Sequence, residues 1–460
     1  MTRGVGMDVD VTQGNDPLIY PQETPASLTE RVCVATLRPD GGMWAPMWWW
    51  MCLGVALLLV GMGAVSVAWL FYAGLGIWGI DWPVAWGFDI LNYVWWIAIA
   101  SGGTFISALF FLLRAPWRTS LNRLAESLTL CAALCAAIFP ILHLGRPQFF
   151  YWLFPYPNTM GLWAQFRSPL VWDFFAILAY VTCSILFWYF GLLPDLATLR
   201  DRAQRRWQQV FYGVLALGFR GSARQWRHYG PVYGVLAALM APLVVSVHSI
   251  VGMDFAGGAA TGWHSTEFPP FFVFGAALSG FAIVLLVLLP LRPALGLEPY
   301  VTDRHVDVLG RLLLTSSLCV AYAYVMDVFS TFYGPDQADR TMFAFRLHGL
   351  YAPVYWGTII LNIVFPQLLW WRAIRLNPAV VWPICLGVLV GMWLERFQII
   401  VTSLARTQLV SAWGQYTPTV WEWSLLCGTI GLFLTAFLLL VRFIPMLAMA
   451  EMRAMLGDGP

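Results

Sequence analysis

The sequence predicts an all-α, polytopic membrane protein of about ten transmembrane helices, and three observations indicate this class. Of its 460 residues, 60% are hydrophobic and 11% are charged, whereas a soluble domain carries roughly 25% charge. Ten apolar stretches are each long enough for a helix to cross a bilayer, which takes about 20 residues. Many of the 26 Trp lie near the ends of these stretches, as in the aromatic belts at membrane interfaces.

The ten apolar stretches are numbered here as segments 1 to 10. Each is expected to be a helix, because backbone groups in the bilayer core find hydrogen-bond partners only within a helix or a closed barrel. The predicted bounds are 46–74, 86–113, 122–143, 170–193, 229–252, 268–290, 309–332, 349–371, 379–400 and 420–446.

Arginine placement predicts the orientation in the membrane. The chain contains no Lys, so its 26 basic residues are all Arg. When both termini and the loops after segments 2, 4, 6 and 8 are assigned to one side, that side holds 20 arginines and the other holds 6. Positive charge is retained on the cytoplasmic side, so both termini are predicted to be cytoplasmic. We call the opposite ends of the helices the outer ends.

A short internal repeat predicts how the segments are grouped. The dipeptide Ser101-Gly102 recurs as Ser279-Gly280, and each is followed by an arginine at the same spacing. Both dipeptides lie on segments that run inward from the outer face. This pattern fits two four-helix bundles, made of segments 2–5 and 6–9, related by an axis along the membrane normal and flanked by segments 1 and 10.

The predicted divisions of the chain follow from these segments. The residues before segment 1 are mixed in polarity, so we expect a cytoplasmic arm rather than a secretory signal. The divisions are the N-terminal arm (1–45), segment 1 with its outer loop (46–85), the first bundle (86–252), an outer Gly-rich loop (253–267), the second bundle (268–400), and segment 10 with a short cytoplasmic tail (401–460).

The cytoplasmic loop 194–228 within the first bundle is the most basic connection. It contains the apolar stretch VFYGVLALGF, which is too short to span a bilayer. Such a stretch predicts either a helix that lies on anionic lipid headgroups or a solvated basic loop.

Ionisable residues within or beside the segments crowd toward the outer ends. Such groups are costly at membrane depth and usually mark an ion, proton or redox site. The set comprises His143, Asp173, His248, Asp254, His264, Glu267, Asp327, His348 and Glu395. Their number on one side predicts proton-coupled chemistry there. Glu126 is the one plausible acid at an inner end, and it is more simply a solvated interfacial carboxylate.

Two histidines and two aspartates of the first bundle suit quinol oxidation. A quinol loses two protons with its two electrons, and an imidazole and a carboxylate can each accept one of them. The four residues are His143, Asp173, His248 and Asp254. Candidates for a path of proton release are Asp254, His264, Glu267, Asp327 and Glu395.

These residues also have structural interpretations, which the sequence leaves open. The carboxylate of Asp173 is favoured near a helix N-terminus by the helix dipole. A buried His248 can serve only as a hydrogen-bond partner between helices. Glu395 with Arg396 fits an interfacial ion pair, and Asp327 fits structural hydrogen bonding as well as proton conduction.

Several other functions are weighed against quinol chemistry. The net charge of +2 disfavours a nucleic-acid partner, and the eight Cys form no C-x-x-C pair, which predicts no iron–sulfur cluster, attached haem or metal site in this chain. The alternatives are a b-type cytochrome with His143 and His248 as axial ligands, a secondary transporter or proton channel, and a structural anchor.

Several long segments, in order, resemble the NrfD-like, polysulfide-reductase family of quinone-interacting membrane subunits. They extend over about residues 95–405 and are WWIAIASGGTFISALFFLLRAPWRTSLNRLAESLTL, IFPILHLGRPQFFYWLFPYPN, RSPLVWDFFAI, GLLPDLATLRDRA, SVHSIVGMDFAGGAATGWHSTEFPPFFVFGAALSGFA and GMWLERFQIIVTSL. Ten helices and the long N-terminal tail are most similar to the NrfD-type subunits of alternative complex III, ActC and its paralogue ActF. The intact set of two histidines and two aspartates favours the quinol-oxidising ActC-type member.

The resemblance implies a subunit of a respiratory or photosynthetic oxidoreductase in a bacterial plasma membrane. Such a subunit holds neither haem nor metal and oxidises menaquinol or another quinol near its outer, periplasmic face. The resemblance implies that His143 and Asp173 face the quinol, with His248, Asp254 and Arg146 close by. The implied partners are an iron–sulfur subunit on the periplasmic side that takes the electrons, c-type haem subunits, a homologous NrfD-like membrane subunit and lipids.

Overall fold

The computed structural model describes residues 17–37, 45–153, 169–258 and 260–457. Within this part of the chain the ordered elements are helices, and no β-strand is formed. Ten of these helices are long and apolar enough to cross a membrane, and they occur at the ten predicted segments, which confirms the predicted fold class. We label them α1 (Met47–Ala73), α2 (Phe88–Leu112), α3 (Asn122–His143), α4 (Pro169–Arg202), α5 (Ala223–Ala256), α6 (Phe268–Ala294), α7 (Asp303–Tyr333), α8 (Ala352–Trp370), α9 (Pro378–Ala405) and α10 (Val420–Phe443).

Shorter helices lie at the ends of the spanning helices. Pro25–Leu37 and Met449–Met455 pack against each other beside the predicted inner ends, and Arg206–Leu215 packs against α4 in the basic loop. Gln337–His348 connects α7 to α8 at the outer side.

The contacts between helices form two groups. In the first bundle α2 packs against α3 and α5, and α4 contacts both α3 and α5. In the second bundle α6 packs against α7 and α9, and α8 contacts both α7 and α9. The two groups meet where α2 and α5 contact α6, and α1 pairs with α10 beside α3. Helix α2 is the most enclosed spanning helix of the described chain, because it contacts members of both bundles and α10.

The bundles meet at the repeated Ser-Gly dipeptides. A Cβ atom placed on Gly102 would lie 2.2 Å from the Cα atom of Gly280, and one placed on Gly280 would lie 2.1 Å from the Cα of Gly102. Glycine permits this backbone contact because it has no side chain. The two members of the sequence repeat therefore contact each other between α2 and α6.

Buried ion pairs close the inner end of the first bundle. The Arg123 guanidinium donates to Glu126 Oε2 and to Asp195 Oδ2, each at 3.1 Å, and the Tyr233 hydroxyl donates to Glu126 Oε1 at 3.2 Å. The interpretation of Glu126 as a solvated carboxylate is therefore wrong, since its side chain is 3% exposed. A charged side chain at this depth is tolerated because an arginine on its own helix pairs with it.

The contact between Gly102 and Gly280 predicts a stability effect. Gly102→Ala should lower the free energy of unfolding by about 1–3 kcal/mol, because its Cβ would force α2 and α6 apart. The matched control is Gly54→Ala on α1, where nothing lies within 4 Å of the added Cβ and a gain of about 0.5–1 kcal/mol is expected from helix propensity. Thermal unfolding of the purified variants would test this; equal melting temperatures for wild type and Gly102→Ala would contradict it.

Candidate functional site

The outer end of the first bundle holds five ionisable side chains, which we call the outer cluster: Asp89, Tyr93, His143, Asp173 and Asp254. Each helix of the bundle contributes to it. Asp89 and Tyr93 are four residues apart on α2, so they lie on one face about 6 Å apart along the axis. His143 is the last residue of α3, Asp173 lies in the first turns of α4, and Asp254 lies near the end of α5.

His143 pairs with Asp89 rather than directly with Asp173. Its Nδ1 atom hydrogen-bonds to Asp89 Oδ2, and Asp89 Oδ1 accepts from the backbone N–H of Gly87 at 3.0 Å. The side chain of Asp89 is 1% exposed, whereas that of His143 is 34% exposed. The buried carboxylate therefore orients the ring and leaves Nε2 as the nitrogen that can exchange a proton.

Asp173 faces Asp254. The two carboxyl groups are close enough to interact electrostatically, and the Tyr93 hydroxyl donates to Asp173 Oδ2 at 3.2 Å. Neither Oδ1 atom meets an N–H or O–H donor of another described residue. Asp173 is buried and Asp254 is half-buried, and two carboxylates that are close together repel each other when both are ionised, so a shared proton would relieve the repulsion. The pair can therefore take up or release a proton.

The sequence analysis did not single out Asp89 or Tyr93. Asp89 is the one acid of segment 2, so the rule that found the other outer acids also applies to it. No comparable signal marks Tyr93, because tyrosines are common near the ends of transmembrane helices.

His248 lies apart from the outer cluster, deeper between α2 and α5. Its Nε2 atom is 2.9 Å from Ser101 Oγ, and its Nδ1 atom donates to the Val244 carbonyl at 2.9 Å. Six residues separate it from Asp254, which is about 9 Å along the helix. Both ring nitrogens are engaged, so the geometry is that of a structural hydrogen bond between helices.

Arg146 and His348 are exposed at the outer side. Arg146 lies three residues beyond His143 and forms no ion pair with any residue that the structure describes. His348 ends the helix between α7 and α8, and the buried charged residue of that helix is Arg346. Neither Arg146 nor His348 contacts the outer cluster through a described hydrogen bond.

The outer end of the second bundle carries a separate group, which we call the second cluster. Its members come from α7, from α9, from the residue just before α6 and from the helix between α7 and α8. They are Glu267, Tyr324, Asp327, Arg346, Glu395 and Arg396.

Glu395 is the buried centre of the second cluster. It accepts hydrogen bonds from the Tyr324 hydroxyl and from the Arg396 guanidinium. Asn362 donates to the oxygen of Tyr324 at 3.1 Å, and Arg396 stacks on Phe272 at 4.1 Å from the ring centroid. The expected ion pair of Glu395 with Arg396 forms, but it is buried inside the bundle rather than at the interface, since both residues are at most 3% exposed.

Two adjoining clefts open at the second cluster. One has an empty volume of about 540 Å³ and is lined by Glu267, Asp327 and Glu395 together with apolar side chains. At its mouth Arg346 Nη1 donates to Asp327 Oδ2 at 3.0 Å. The second cleft, of about 910 Å³, shares Asp327 and Arg346 with the first and reaches His264 at the surface. Four candidates for proton release therefore line one or the other of two adjoining clefts, and the fifth, Asp254, belongs to the outer cluster.

Glu267 lies just before the first residue of α6, at the border of the membrane segment. Burial raises the pKa of Glu267 from its ordinary 4.5 to about 7; the negative charge of Asp327 adds to this shift, and a hydrogen bond with Ser265 opposes it. A carboxyl group with this pKa changes its charge near neutral pH.

A group with metal-ligand spacing lines the second cleft at the surface. Ligand atoms of His264, Asp336 and Asp339 lie within 4.8 Å of one another, and His264 Nε2 is 2.8 Å from Asp339 Oδ2. The three side chains are exposed or half-exposed, so the ion pair alone explains their proximity.

Comparisons with known proteins agree with this architecture. The chain is 25% identical to a putative dimethyl sulfoxide reductase membrane subunit of Halobacterium salinarum, over 88% of this chain and 94% of that protein. It is 22% identical to a selenate reductase subunit of Mesobacillus selenatarsenatis, over 78% of this chain and 86% of that protein. Residues 80–408, which contain both clusters, match the family described as polysulphide reductase, NrfD. The chain is therefore a multi-pass integral membrane protein that belongs to the NrfD family.

Proposed function

We propose that this chain is the quinol-binding membrane subunit of a multi-subunit oxidoreductase and that quinol oxidation occurs at the outer cluster. The observation that carries the proposal is the facing pair of Asp173 and Asp254 beside the oriented imidazole of His143. Asp89, which pairs with His143, and Tyr93, which donates to Asp173, lie one helical turn apart on α2. The imidazole and the carboxyl pair could therefore each accept one of the two protons that a quinol releases.

The cluster accounts for both protons of a quinol. In the proposed reaction, His143 Nε2 accepts the proton of one hydroxyl, and the resulting imidazolium is stabilised by Asp89. The Asp173–Asp254 pair accepts the proton of the other hydroxyl, and Tyr93 holds Asp173 in place. The two electrons leave to a redox centre of a partner subunit at the outer side, and the ring becomes a quinone. We infer menaquinol as the substrate from the family resemblance alone.

The second cluster is proposed as the path by which protons leave. Glu267, Asp327 and Glu395 line one cleft. The adjoining cleft shares Asp327 with it and is lined by His264 at the surface. Asp254 would pass a proton from the outer cluster toward this space. Release at the outer side would separate protons from electrons and thereby help maintain a proton-motive force.

We propose a class of partner subunit, and not one particular protein, as the electron acceptor. We propose an iron–sulfur subunit on the periplasmic side, with both termini of this chain in the cytoplasm of a bacterium. Both named relatives are parts of reductases, which favours a terminal reductase as the final acceptor. The resemblance to alternative complex III favours c-type haem subunits and a second NrfD-like subunit instead.

Co-purification would distinguish these two acceptors. In the alternative complex III arrangement, the complex isolated through this chain should show the reduced-minus-oxidised spectrum of c-type haem and contain a second NrfD-like subunit. A complex that contains a reductase subunit and no c-type haem would assign the chain to the reductase arrangement. A b-type haem band in the isolated chain would favour the cytochrome alternative. The structure disfavours that alternative, because both ring nitrogens of His248 already have hydrogen-bond partners.

The outer cluster predicts which substitutions abolish turnover. His143→Gln and Asp173→Asn should each lower quinol oxidation by about 10²-fold or more, because each removes a proton acceptor. Matched controls are His228→Gln and Asp201→Asn, which alter exposed residues on the predicted inner side and should keep wild-type rates. Steady-state quinol oxidation by the assembled complex is the measurement. Unchanged turnover in both outer-cluster variants would instead indicate a structural or proton-conducting paralogue.

The pKa of Glu267 predicts two pH effects. If Glu267 accepts departing protons, turnover should rise between pH 6 and pH 8 with an apparent pKa near 7, and Glu267→Gln should flatten this rise. Stability should change in the opposite direction. Between pH 4.5 and about 7 the folded chain keeps a proton that the unfolded chain has lost, so stability falls as pH rises through this window.

Both pH effects are measurable in the complex. The wild-type melting temperature should fall relative to that of Glu267→Gln as pH rises from 5 to 8, while pH–rate profiles report the change in turnover. An identical pH–rate profile for wild type and Glu267→Gln would remove Glu267 from the proton path, whatever the outcome at His143 and Asp173.

A further inference from the structure

The basic loop between α4 and α5 folds into a helix that is fixed to the inner side of the protein along one face. Residues Arg206–Leu215 form this helix. Gln208 donates to the Leu37 carbonyl at 3.1 Å, and Tyr212 donates to the Phe443 carbonyl, at the end of α10, at 3.0 Å. These bonds hold the helix against the N-terminal surface helix and α10.

The opposite face of this helix, together with the turn that follows it, is apolar and exposed. Its large side chains recur at helical spacing, and we call them the apolar stripe: Trp207 (47% exposed), Val210 (56%), Phe211 (40%), Val214 (67%) and Leu217 (70%). Exposed apolar patches of this kind mark a contact with a membrane or another protein. The stripe lies beside the inner ends of α4 and α10, where the lipid headgroups of the inner leaflet are expected to surround the protein.

Exposed arginines precede and follow the apolar stripe in the sequence. They are Arg202, Arg205, Arg206, Arg220, Arg224 and Arg227. No carboxylate within the described chain pairs with any of them; the nearby Asp201 pairs with Arg200 at 2.8 Å. Arg205 and Arg206 also lie at the N-terminus of the helix, where positive side chains are disfavoured by the helix dipole. Their charges are thus not used for pairing within the described structure.

From this combination we infer that the helix binds anionic phospholipids of the inner leaflet. The apolar stripe packs on acyl chains, and the flanking guanidinium groups bind the phosphates, for which their planar forks are well suited. A zwitterionic lipid such as phosphatidylcholine would satisfy the stripe and offer a phosphate, but its own cation cancels that charge, so the net positive charge of the six arginines would remain unbalanced. Of the two interpretations that the sequence leaves open for this loop, the structure therefore favours the helix on headgroups over the solvated basic loop. The inference is independent of the proposed quinol chemistry.

Lipid titration of the purified full-length chain tests the inference. The probes are phosphatidylglycerol and phosphatidylcholine, and the readout is the apparent Kd for bound lipid from native mass spectrometry. The variant Arg202→Gln/Arg205→Gln/Arg206→Gln should bind phosphatidylglycerol at least fivefold more weakly, because each basic residue near an anionic surface contributes about a fivefold effect. Binding of phosphatidylcholine should be unchanged.

Matched variants separate charge from fold and from apolar contact. The same three positions changed to Lys should keep most of the phosphatidylglycerol affinity, because the charges remain. Val214→Ser/Leu217→Ser should weaken both lipids, since acyl-chain contact is lost. Melting temperatures close to wild type would establish that each variant is folded.

Two results would overturn the inference. One is a triple Gln variant that binds phosphatidylglycerol as tightly as wild type. The other is a triple Gln variant that retains lipid but loses a partner subunit when the complex is isolated from its native membrane, because the surface would then be a protein interface.

Discussion

The contact between α2 and α6 at Gly102 and Gly280 is the packing constraint on which the rest of the structure depends. It brings the two bundles together and fixes α2, which lies between them. Hydrogen bonds then determine the rotation of α2: Trp95 Nε1 donates to the Leu389 carbonyl at 2.9 Å, and Trp96 Nε1 donates to Thr429 at 3.0 Å. In a bilayer such bonds are specific, because lipid offers no competing partner.

The rotation of α2 places the outer cluster. Asp89 and Tyr93 lie on one face, where the first pairs with His143 and the second with Asp173. A change in the rotation of α2 would separate both pairs at once. The chemistry of the first bundle is therefore coupled to a contact deep between the helices, far from the groups that exchange protons.

The sequence predicts the spans well and the side-chain partners poorly, for a physical reason. Length and hydrophobicity determine where a helix crosses the bilayer, and both are visible in single segments. The pairing of side chains depends on helix rotation, which nearly uniform apolar segments do not encode. The resemblance implies that His143 and Asp173 both face the quinol, but nothing in the sequence indicates that His143 hydrogen-bonds to Asp89 on α2. Glu126 is expected in solvent for the same reason, because the sequence does not indicate that it shares Arg123 with Asp195 and accepts from Tyr233.

The repeat is more informative than the single residues. Ser-Gly pairs matched in spacing predict the two bundles, and the structure brings the two glycines into contact. Small residues that recur at one spacing carry information about helix packing, because only they permit backbone contact in a membrane. A single histidine carries less information: His248 satisfies every sequence criterion for a site and forms a structural hydrogen bond.

Buried carboxylates at the outer side differ in how completely they are satisfied. Glu422 accepts from the backbone N–H groups of Gly79 and Thr419, each at 2.8 Å, and from the Tyr416 hydroxyl, which is a complete structural set. Asp173 has one hydroxyl donor and another carboxyl group as its neighbours. A carboxylate with donors on both oxygens is held as part of the fold, whereas two neighbouring carboxylates repel each other when both are ionised, and a shared proton would remove that repulsion.

The outer cluster and the second cluster also differ in how their carboxylates are paired, and this difference favours separate roles for them. In the second bundle Glu395 pairs with Arg396, and Asp327 pairs with Arg346, so each charge has a fixed counter-charge. An arginine partner opposes protonation of a carboxylate, and Asp173 and Asp254 have no such partner among the described residues. This difference favours the proposed roles, in which the first bundle accepts protons from the substrate and the second bundle conducts them toward the surface.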